Sequence, residues 1–483
     1  MIPPLLTAIP SCCFTGCSKL GRVIFDSPDS ITFIGLGAFD GCTNLVMDIP
    51  SSVTKIEDYA FRSANLSECV IDLPNLTSIG KFDVFSSTKI KRINSLGSIT
   101  SIQFQSDQPG NYSRYPAFYN CKNLEYVNLP DTLTSIGGWT FEGCTSLTEV
   151  HMSESIKTIS TGCFKRCSAL ATINFPHSIK TLGGWSFAGC TSLVIDNLSL
   201  PNLTTLYENA LSGVRVKRIS NLGEITSLMS LGCNKTVLTE FVFPQSIETI
   251  SNGLLFQYAN CVIEDLNLPN LTSLGSGSFN GTKLRKITSL GSVTAFPNNT
   301  GNTGSVFGNC NELTQVSQDV FDKITYLASA FENCKNLVIN NLRLPSLTGT
   351  ITAGFSGCQI KRVVDLGSIT NFFGDTALKS NTRPLGSVYE VLILPNTIQK
   401  VGRYAFTGDS NLKAIVFKAT TPPDVAQYVF DGSVSTCPVY VPDDSLNSYI
   451  SSTAWYTWGS RFRGIEQLKT DDPTLYAEIK DYL

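Results

Sequence analysis

Apolar residues recur along this chain in two nested rhythms, a short alternation inside a long repeat. In Leu124-Glu-Tyr-Val127-Asn-Leu129-Pro130, Leu147-Thr-Glu-Val150-His-Met152 and Leu170-Ala-Thr-Ile173-Asn-Phe175-Pro176, apolar positions alternate with polar ones, the period of a half-buried strand. A second apolar step, Leu133 to Ile136, leads into Gly137, and the unit closes on Phe141-Glu-Gly-Cys144. The same closing motif reads Phe14-Thr-Gly-Cys17, Phe39-Asp-Gly-Cys42, Phe187-Ala-Gly-Cys190 and Phe355-Ser-Gly-Cys358, with looser copies at Phe118, Phe164, Phe307 and Phe331. Its spacing of about 23 residues marks a stacked repeat array.

One strand per coil is predicted, ended by a proline that lacks a ladder donor. Gly137 or Gly183 then suits a turn of unusual backbone angles. No segment before the C-terminus carries a long 3.6-residue apolar period, so helices of one or two turns at most are predicted. Sequential parallel strands favour right-handed crossovers. The pattern therefore predicts a right-handed, mainly β solenoid of roughly 17 to 19 coils over residues 1–442, with short helical or 3-10 turns.

Coils come in types. Leu200-Pro-Asn-Leu-Thr204 with Lys217-Arg-Ile-Ser-Asn-Leu-Gly-Glu-Ile-Thr226 returns at Leu268 with Arg285 and at Leu344 with Lys361, spacings of 68 and 76 residues that imply a duplicated block of three coils. The stretches Gln103 to Pro116, Pro297 to Ser305 and Gly374 to Pro384 break the period and are read as loops. Residues 2–17 already match the second half of a repeat, so the first coil is expected to lack a cap. Ala419-Thr-Thr-Pro-Pro423 and the aromatic cluster Tyr449, Trp455, Tyr456, Trp458 and Phe462 depart from the repeat. Residues 443–483 are expected to form a C-terminal cap and tail, helical from Asp471 onward.

Composition narrows the function. A net charge of −3 supplies no global basic field, which disfavours nucleic acid as a partner. No apolar run approaches the roughly 20 residues of a membrane span, and Met1-Ile-Pro-Pro-Leu-Leu lacks the charged start and apolar core of a signal peptide. The 16 cysteines mostly hold one repeat position, so they are expected to be reduced core thiols.

The repeat resembles the BspA-like branch of bacterial leucine-rich-repeat proteins, whose unit carries a strand, a proline turn, an Ile-Gly step and an Ala-Phe-x-Gly-Cys close. The resemblance covers most of residues 1–441, as at Leu36-Gly-Ala-Phe39, Glu57-Asp-Tyr-Ala-Phe61 and Gly402-Arg-Tyr-Ala-Phe406. It implies a secreted or surface-attached protein of host-associated bacteria, adhering to a protein or glycan on host or neighbouring cells. The chain departs from that picture in showing no signal peptide, sorting motif or anchor. A structural or virion-associated component is the alternative expectation.

Catalytic chemistry finds little support. His151 and His177 have no Cys or Ser partner at a catalytic spacing. Gly35-Leu-Gly37 and Gly275-Ser-Gly277 fall at the Ile-Gly turn and open no long helix. In Cys13-Phe-Thr-Gly-Cys17 and Cys163-Phe-Lys-Arg-Cys167 the first cysteine replaces the repeat's alanine, and a second ligand pair is missing, so neither is read as a zinc site. Asn75, Asn202 and Asn270 open Asn-Leu-Thr triplets at one fixed position of one coil type, which repeat identity explains better than glycosylation. An enzyme is not expected, nor a metal or cofactor.

The candidate contacts lie on the surface. Aligning strands on their inward residues puts Arg92, Arg218, Lys286 and Arg362 at the outward position held elsewhere by Tyr126, Glu149, Thr172 and Glu240, with Lys217, Arg285 and Lys361 beside them. This row is the expected ligand surface. Trp139 and Trp185, in matching Gly-Gly-Trp segments two coils apart, form a second candidate pair, though packing into the turn is the competing reading.

Overall fold

The computed structural model describes residues 2, 5–67, 69–103, 115–233, 237–251, 260–296, 305–327, 330–348, 354–372, 389–403, 405–406, 411–430 and 436–483. The three period-breaking stretches lie largely outside them. The chain is a parallel β-solenoid of about 17 turns with repeats of about 23 residues. It forms two compact units, Met1–Ser246 and Ile247–Leu483.

Through the middle of the first unit, each coil is joined to the next along three sides. On the first side, Tyr126–Asn128 pairs in parallel with Glu149–His151, and that strand with Thr172–Ile173, so that Val127, Val150 and Ile173 are in register. On the second, Ser135–Ile136 lies between Ser101–Ile102 and Thr158–Ile159. On the third, the backbone N–H groups of Trp139, Phe141 and Gly143 donate to the carbonyls of Thr161, Cys163 and Lys165 at 2.8–2.9 Å. The backbone polar groups of a coil thus find partners one repeat away, which lets the apolar side chains fill the interior.

Stacked phenylalanines run through that interior. Phe14, Phe39, Phe61, Phe85, Phe118, Phe141, Phe164 and Phe187 follow one another at 5.2–5.4 Å between centroids, tilted by no more than 13°. Phe279, Phe307, Phe331 and Phe355 repeat the ladder in the second unit. Each buried Phe contributes about 1.5–3 kcal/mol by leaving water, and each stacked pair roughly 0.5–1.5 kcal/mol more.

The cysteine of the motif has its own task. The thiols of Cys42, Cys121, Cys144, Cys167 and Cys190 donate to the carbonyls of Phe14, Phe85, Phe118, Phe141 and Phe164, at 3.0–3.4 Å. Cys310, Cys334 and Cys358 do the same to Phe279, Phe307 and Phe331. A small apolar residue with a weak donor suits a carbonyl that faces the core. All 16 cysteines are free, and 13 are buried; Cys12, Cys13 and Cys17 are exposed.

Glycine at the Ile-Gly step answers to contact more than to backbone angle. A Cβ on Gly183 would stand 2.4 Å from the Thr161 backbone nitrogen, so the coil closes there only without a side chain. The triplet asparagines are structural as well: Asn75 and Asn202 donate to the carbonyls of Ser51 and His177 in the coil before.

The second unit ends in a six-stranded parallel sheet, Val338–Arg343, Gln359–Asp365, Val391–Leu394, Ala414–Phe417, Val439–Val441 and Phe462–Gly464. Here the outward positions are apolar too. Val364, Val391, Ile393, Ala414, Val416 and Tyr440 pack under Leu468, Leu475 and Ile479. Those three come from the helices Leu468–Asp471 and Pro473–Ile479, the latter begun by Pro473 and capped by Asp472, whose carboxylate accepts from the Leu475 N–H at 2.9 Å. Of the aromatic cluster, Tyr449 and Trp455 are fully buried and bond the carbonyls of Ala419 and Pro423. Tyr456 is 79% exposed and takes no part in that packing.

Candidate functional site

The outward strand position is real as a register: Val70, Arg92, Tyr126, Glu149 and Thr172 stand side by side in the first unit. Their inward neighbours Ile71, Ile93, Val127 and Val150 are at most 1% exposed. Alternation therefore seals one face and leaves the other to solvent.

The basic residues on this face meet different fates. Arg218 pairs with Glu240 at 2.9 Å and Lys217 with Asp196 at 2.7 Å. In the second unit Arg285 lies between Glu264 and Glu312, at 2.5 and 3.1 Å, and Lys286 is 3.5 Å from Asp265. The hydrogen bond to Glu264, then that to Glu312, raises the pKa of the Arg285 guanidinium. Each acid sits on the neighbouring coil. The row is therefore a sequence of cross-coil ion pairs, with little uncompensated positive charge at these four positions.

Arg362 departs furthest from the expected row. It is 5% exposed, lies under the C-terminal helix and pairs with Glu478. It cannot meet a solvent-borne ligand while that helix is in place, because the outward face of its strand is a second core. Lys361 remains exposed on the same strand.

Arg92 differs in the opposite sense. Among the described residues no carboxylate pairs with it. Its guanidinium lies 4.2 Å from the centroid of Tyr126, whose ring is 5.5 Å from that of His151, and His151 Nε2 is 2.6 Å from Glu149 Oε1. Three adjacent strands thus present a connected patch of cation, aromatic ring, imidazole and acid. Strand alignment gave Arg92, Tyr126 and Glu149 as one row; His151, two residues after Glu149, joins it because alternate residues share a face.

Trp139 and Trp185 lie on another side of the coil, in the turn before Phe141 and Phe187. Trp185 is 42% exposed. Trp139 is half-buried against Gly162 of the next coil, with Lys165 Nζ 5.7 Å from its ring centroid.

A cleft that the repeat pattern did not announce lies beside the strand face. The sheet holding Arg92 ends at Thr172–Ile173, and the next strands, Val194–Ile195 and Leu198–Ser199, belong to other sheets. Leu193 to the inward Leu198 is two residues longer than Leu170 to Ile173, so the following coil bulges and breaks the ladder. A space of about 390 Å³ opens there, lined by Ile173, Phe175, His177, Val194, Asp196 and Leu198. Among the described residues no group of three His, Cys, Asp or Glu side chains is placed to hold a metal ion, and no helix is long and apolar enough to cross a membrane.

Comparison with solved structures returns leucine-rich-repeat proteins. A leucine-rich repeat protein from Bacteroides ovatus is 18% identical over 76% of this chain and 92% of its own, with a TM-score of 0.39. A leucine rich cell surface protein from Faecalibacterium prausnitzii is 15% identical over 73% of this chain and 91% of its own, with a TM-score of 0.28. The pneumococcal vaccine antigen PcpA is 13% identical over 95% and 83%, with a TM-score of 0.21. With scores this low, none adds to what the repeat itself shows. No curated protein matched the chain. The repeat model described as the BspA type leucine rich repeat region matches residues 1–106, 113–231, 231–361 and 386–458, which is most of the sequence, and by that match the chain belongs to the BspA-type leucine-rich-repeat family.

Proposed function

We propose that this chain is a non-catalytic interaction module, secreted or displayed at a bacterial surface, that binds a protein or glycan on host or neighbouring cells through the outward face of its strands. One observation carries the reading: Arg92, stacked on Tyr126 at 4.2 Å, is an outward cation without an acid partner among the described residues, beside an aromatic ring and the His151–Glu149 pair. Exposed Arg and Tyr are the residue types that anchor protein contacts. Lys217 and Arg218 on the outward strands of the first unit, and Arg285, Lys286 and Lys361 on those of the second, add ion pairs or single charges, each to its own unit's face, that a partner can exchange. Arg362 is left out because it is covered.

The test compares the parent with a triple charge reversal, Arg92→Glu, Arg218→Glu and Lys286→Glu. Binding of the labelled protein to epithelial and bacterial cells is followed by flow cytometry at low and high salt. The parent should bind less as salt shortens the Debye length from about 10 Å at 0.1 M to about 3 Å at 1 M. The variant should bind several-fold less with a nearly unchanged melting temperature, since exposed charges contribute little to stability. Equal binding by parent and variant would show that the face only solvates the sheet. Antibody labelling of intact producing cells tests the location.

A further inference from the structure

Trp139 and Trp185 occupy a position at which most described coils of the repeat bend into the left-handed backbone region, Pro116 and Ser305 being exceptions. Their φ angles are 56° and 52°, and the same position holds Gly37, Gly162, Gly277, Asp83 and Asn209, and also Cys12, Tyr59 and Tyr428. Glycine, Asp and Asn tolerate that conformation; for a bulky side chain it is a strained outlier. Burial does not repay this at Trp185, which is 42% exposed. In the next coil the position holds Asn209, and Tyr207, 52% exposed, stands two residues before it. A large ring held at a strained position and left in water points to a contact made outside the chain.

The spacing says what kind. Trp139 and Trp185 each precede a ladder phenylalanine by two residues, and Phe141, Phe164 and Phe187 are separated by steps of 5.4 and 5.2 Å. The backbone positions that carry the two indoles therefore stand two such steps apart. Between them the position is Gly162, where a Cβ would come within 2.9 Å of the Trp139 ring, so the Trp139 indole lies over that glycine and no side chain of the intervening coil rises between the two rings. Extended β-1,4-linked glycans repeat every second sugar over nearly the same distance, and the C–H faces of their pyranose rings stack on aromatic surfaces. Polar side chains flank the rings: Glu142, paired with Lys165 at 3.1 Å, and the exposed Glu208, which suit sugar hydroxyls.

We propose that this turn side of the first unit binds an extended β-1,4-linked glycan, with Trp139 and Trp185 stacking on alternate sugars. The proposal rests on the reading of the chain as a binding module but uses a different side from the outward strands. The probes are cellohexaose and chitohexaose, with their disaccharides and the curved maltohexaose as comparisons, followed by tryptophan emission and calorimetry. At least one β-1,4 hexasaccharide should bind, and its disaccharide should bind roughly tenfold more weakly because it cannot engage two rings at once.

Trp139→Gly and Trp185→Gly should each weaken hexasaccharide binding roughly tenfold without lowering the melting temperature, since glycine holds the same position at Gly37, Gly162 and Gly277. Trp185→Tyr should retain binding, as Tyr59 and Tyr428 already hold this conformation. Absence of hexasaccharide binding at millimolar concentration, equal binding of maltohexaose, indifference to both glycine variants, or a protein ligand captured by this side in place of sugar would each overturn the proposal. The charge-reversed strand variant keeps both tryptophans. Failure here therefore leaves the strand-face reading standing, and failure there leaves this one.

Discussion

Arg362 and Glu478, 116 residues apart in sequence, form an ion pair that seats the C-terminal helix on the last sheet. The guanidinium also donates to Asn341 Oδ1 at 3.3 Å, while its Nε has no partner. Glu478→Ala would leave a buried cation with one weak neutral contact. Breaking a fully buried pair costs about 3–5 kcal/mol; the Glu478 side chain is 41% exposed, so solvent screening should reduce the loss to roughly 1–3 kcal/mol. Replacing both partners, Arg362→Met with Glu478→Leu, should recover most of it. Denaturant unfolding checks both, and an unchanged Glu478→Ala variant would mean that Leu475 and Ile479 hold the helix alone.

The thiols should divide sharply under alkylation. Cys12, Cys13 and Cys17 are exposed, and the other 13 are buried. Burial pushes the Cys190 and Cys69 thiols up to about 12, which removes the reactive thiolate as well as access. Iodoacetamide on the native protein should therefore modify three sites, with the rest following only in denaturant. Mass spectrometry showing rapid native labelling of Cys144 or Cys167 would contradict the ladder.

How much of this was legible in the sequence depends on whether a side chain's fate is decided within its own coil. Phe141, Cys144 and Val127 are buried by the next copy of the same pattern, so period alone places them. Arg362 is not: a segment more than 100 residues away in sequence covers it. A local signal of that cover existed. Val391-Leu-Ile-Leu394 and Ala414-Ile-Val-Phe417 abandon alternation for continuous apolar runs, the mark of parallel strands buried on both faces. The cross-coil acids that neutralise Arg218 and Arg285 were hidden because alignment of equivalent positions does not show which neighbour a long side chain will choose. The Ile173 cleft was hidden in a two-residue insertion that counts as noise against a period of about 23.

Gly183 separates two reasons for glycine in this repeat. With Thr161 N at 2.4 Å from its would-be Cβ, Gly183→Ala forces two coils apart. The expected loss is about 1–3 kcal/mol, the range for overpacking. At Gly162, whose φ is 64°, the obstacle is backbone strain together with the Trp139 ring, so removing the indole should relieve part of it. Gly162→Ala should destabilise less in the Trp139→Gly background than in the parent, a coupling that a double-mutant cycle of melting curves measures.

Asp83 is the charged residue most at odds with its surroundings in the first unit. It is 1% exposed, accepts from Ser86 Oγ at 2.5 Å and from the Tyr115 N–H at 2.9 Å, and sits at the left-handed turn position with φ of 53°. Desolvation outweighs those hydrogen bonds and the attraction of Arg62, so its pKa is raised. The folded chain thus binds this proton more tightly than the unfolded one. Its stabilising contribution is full below the unfolded carboxyl value of about 3.9 and is lost as pH rises through the raised folded value. Asp83→Asn tolerates the same backbone, accepts from Tyr115 through Oδ1 and donates to the Ser86 hydroxyl through Nδ2. The first unit of that variant should melt higher than the parent at neutral pH, and the advantage should shrink as pH falls toward the unfolded carboxyl value. Melting curves across that range decide the matter: an Asn variant less stable than the parent at neutral pH would show that the ionised carboxylate, held by Ser86 and Tyr115, is the form the turn requires.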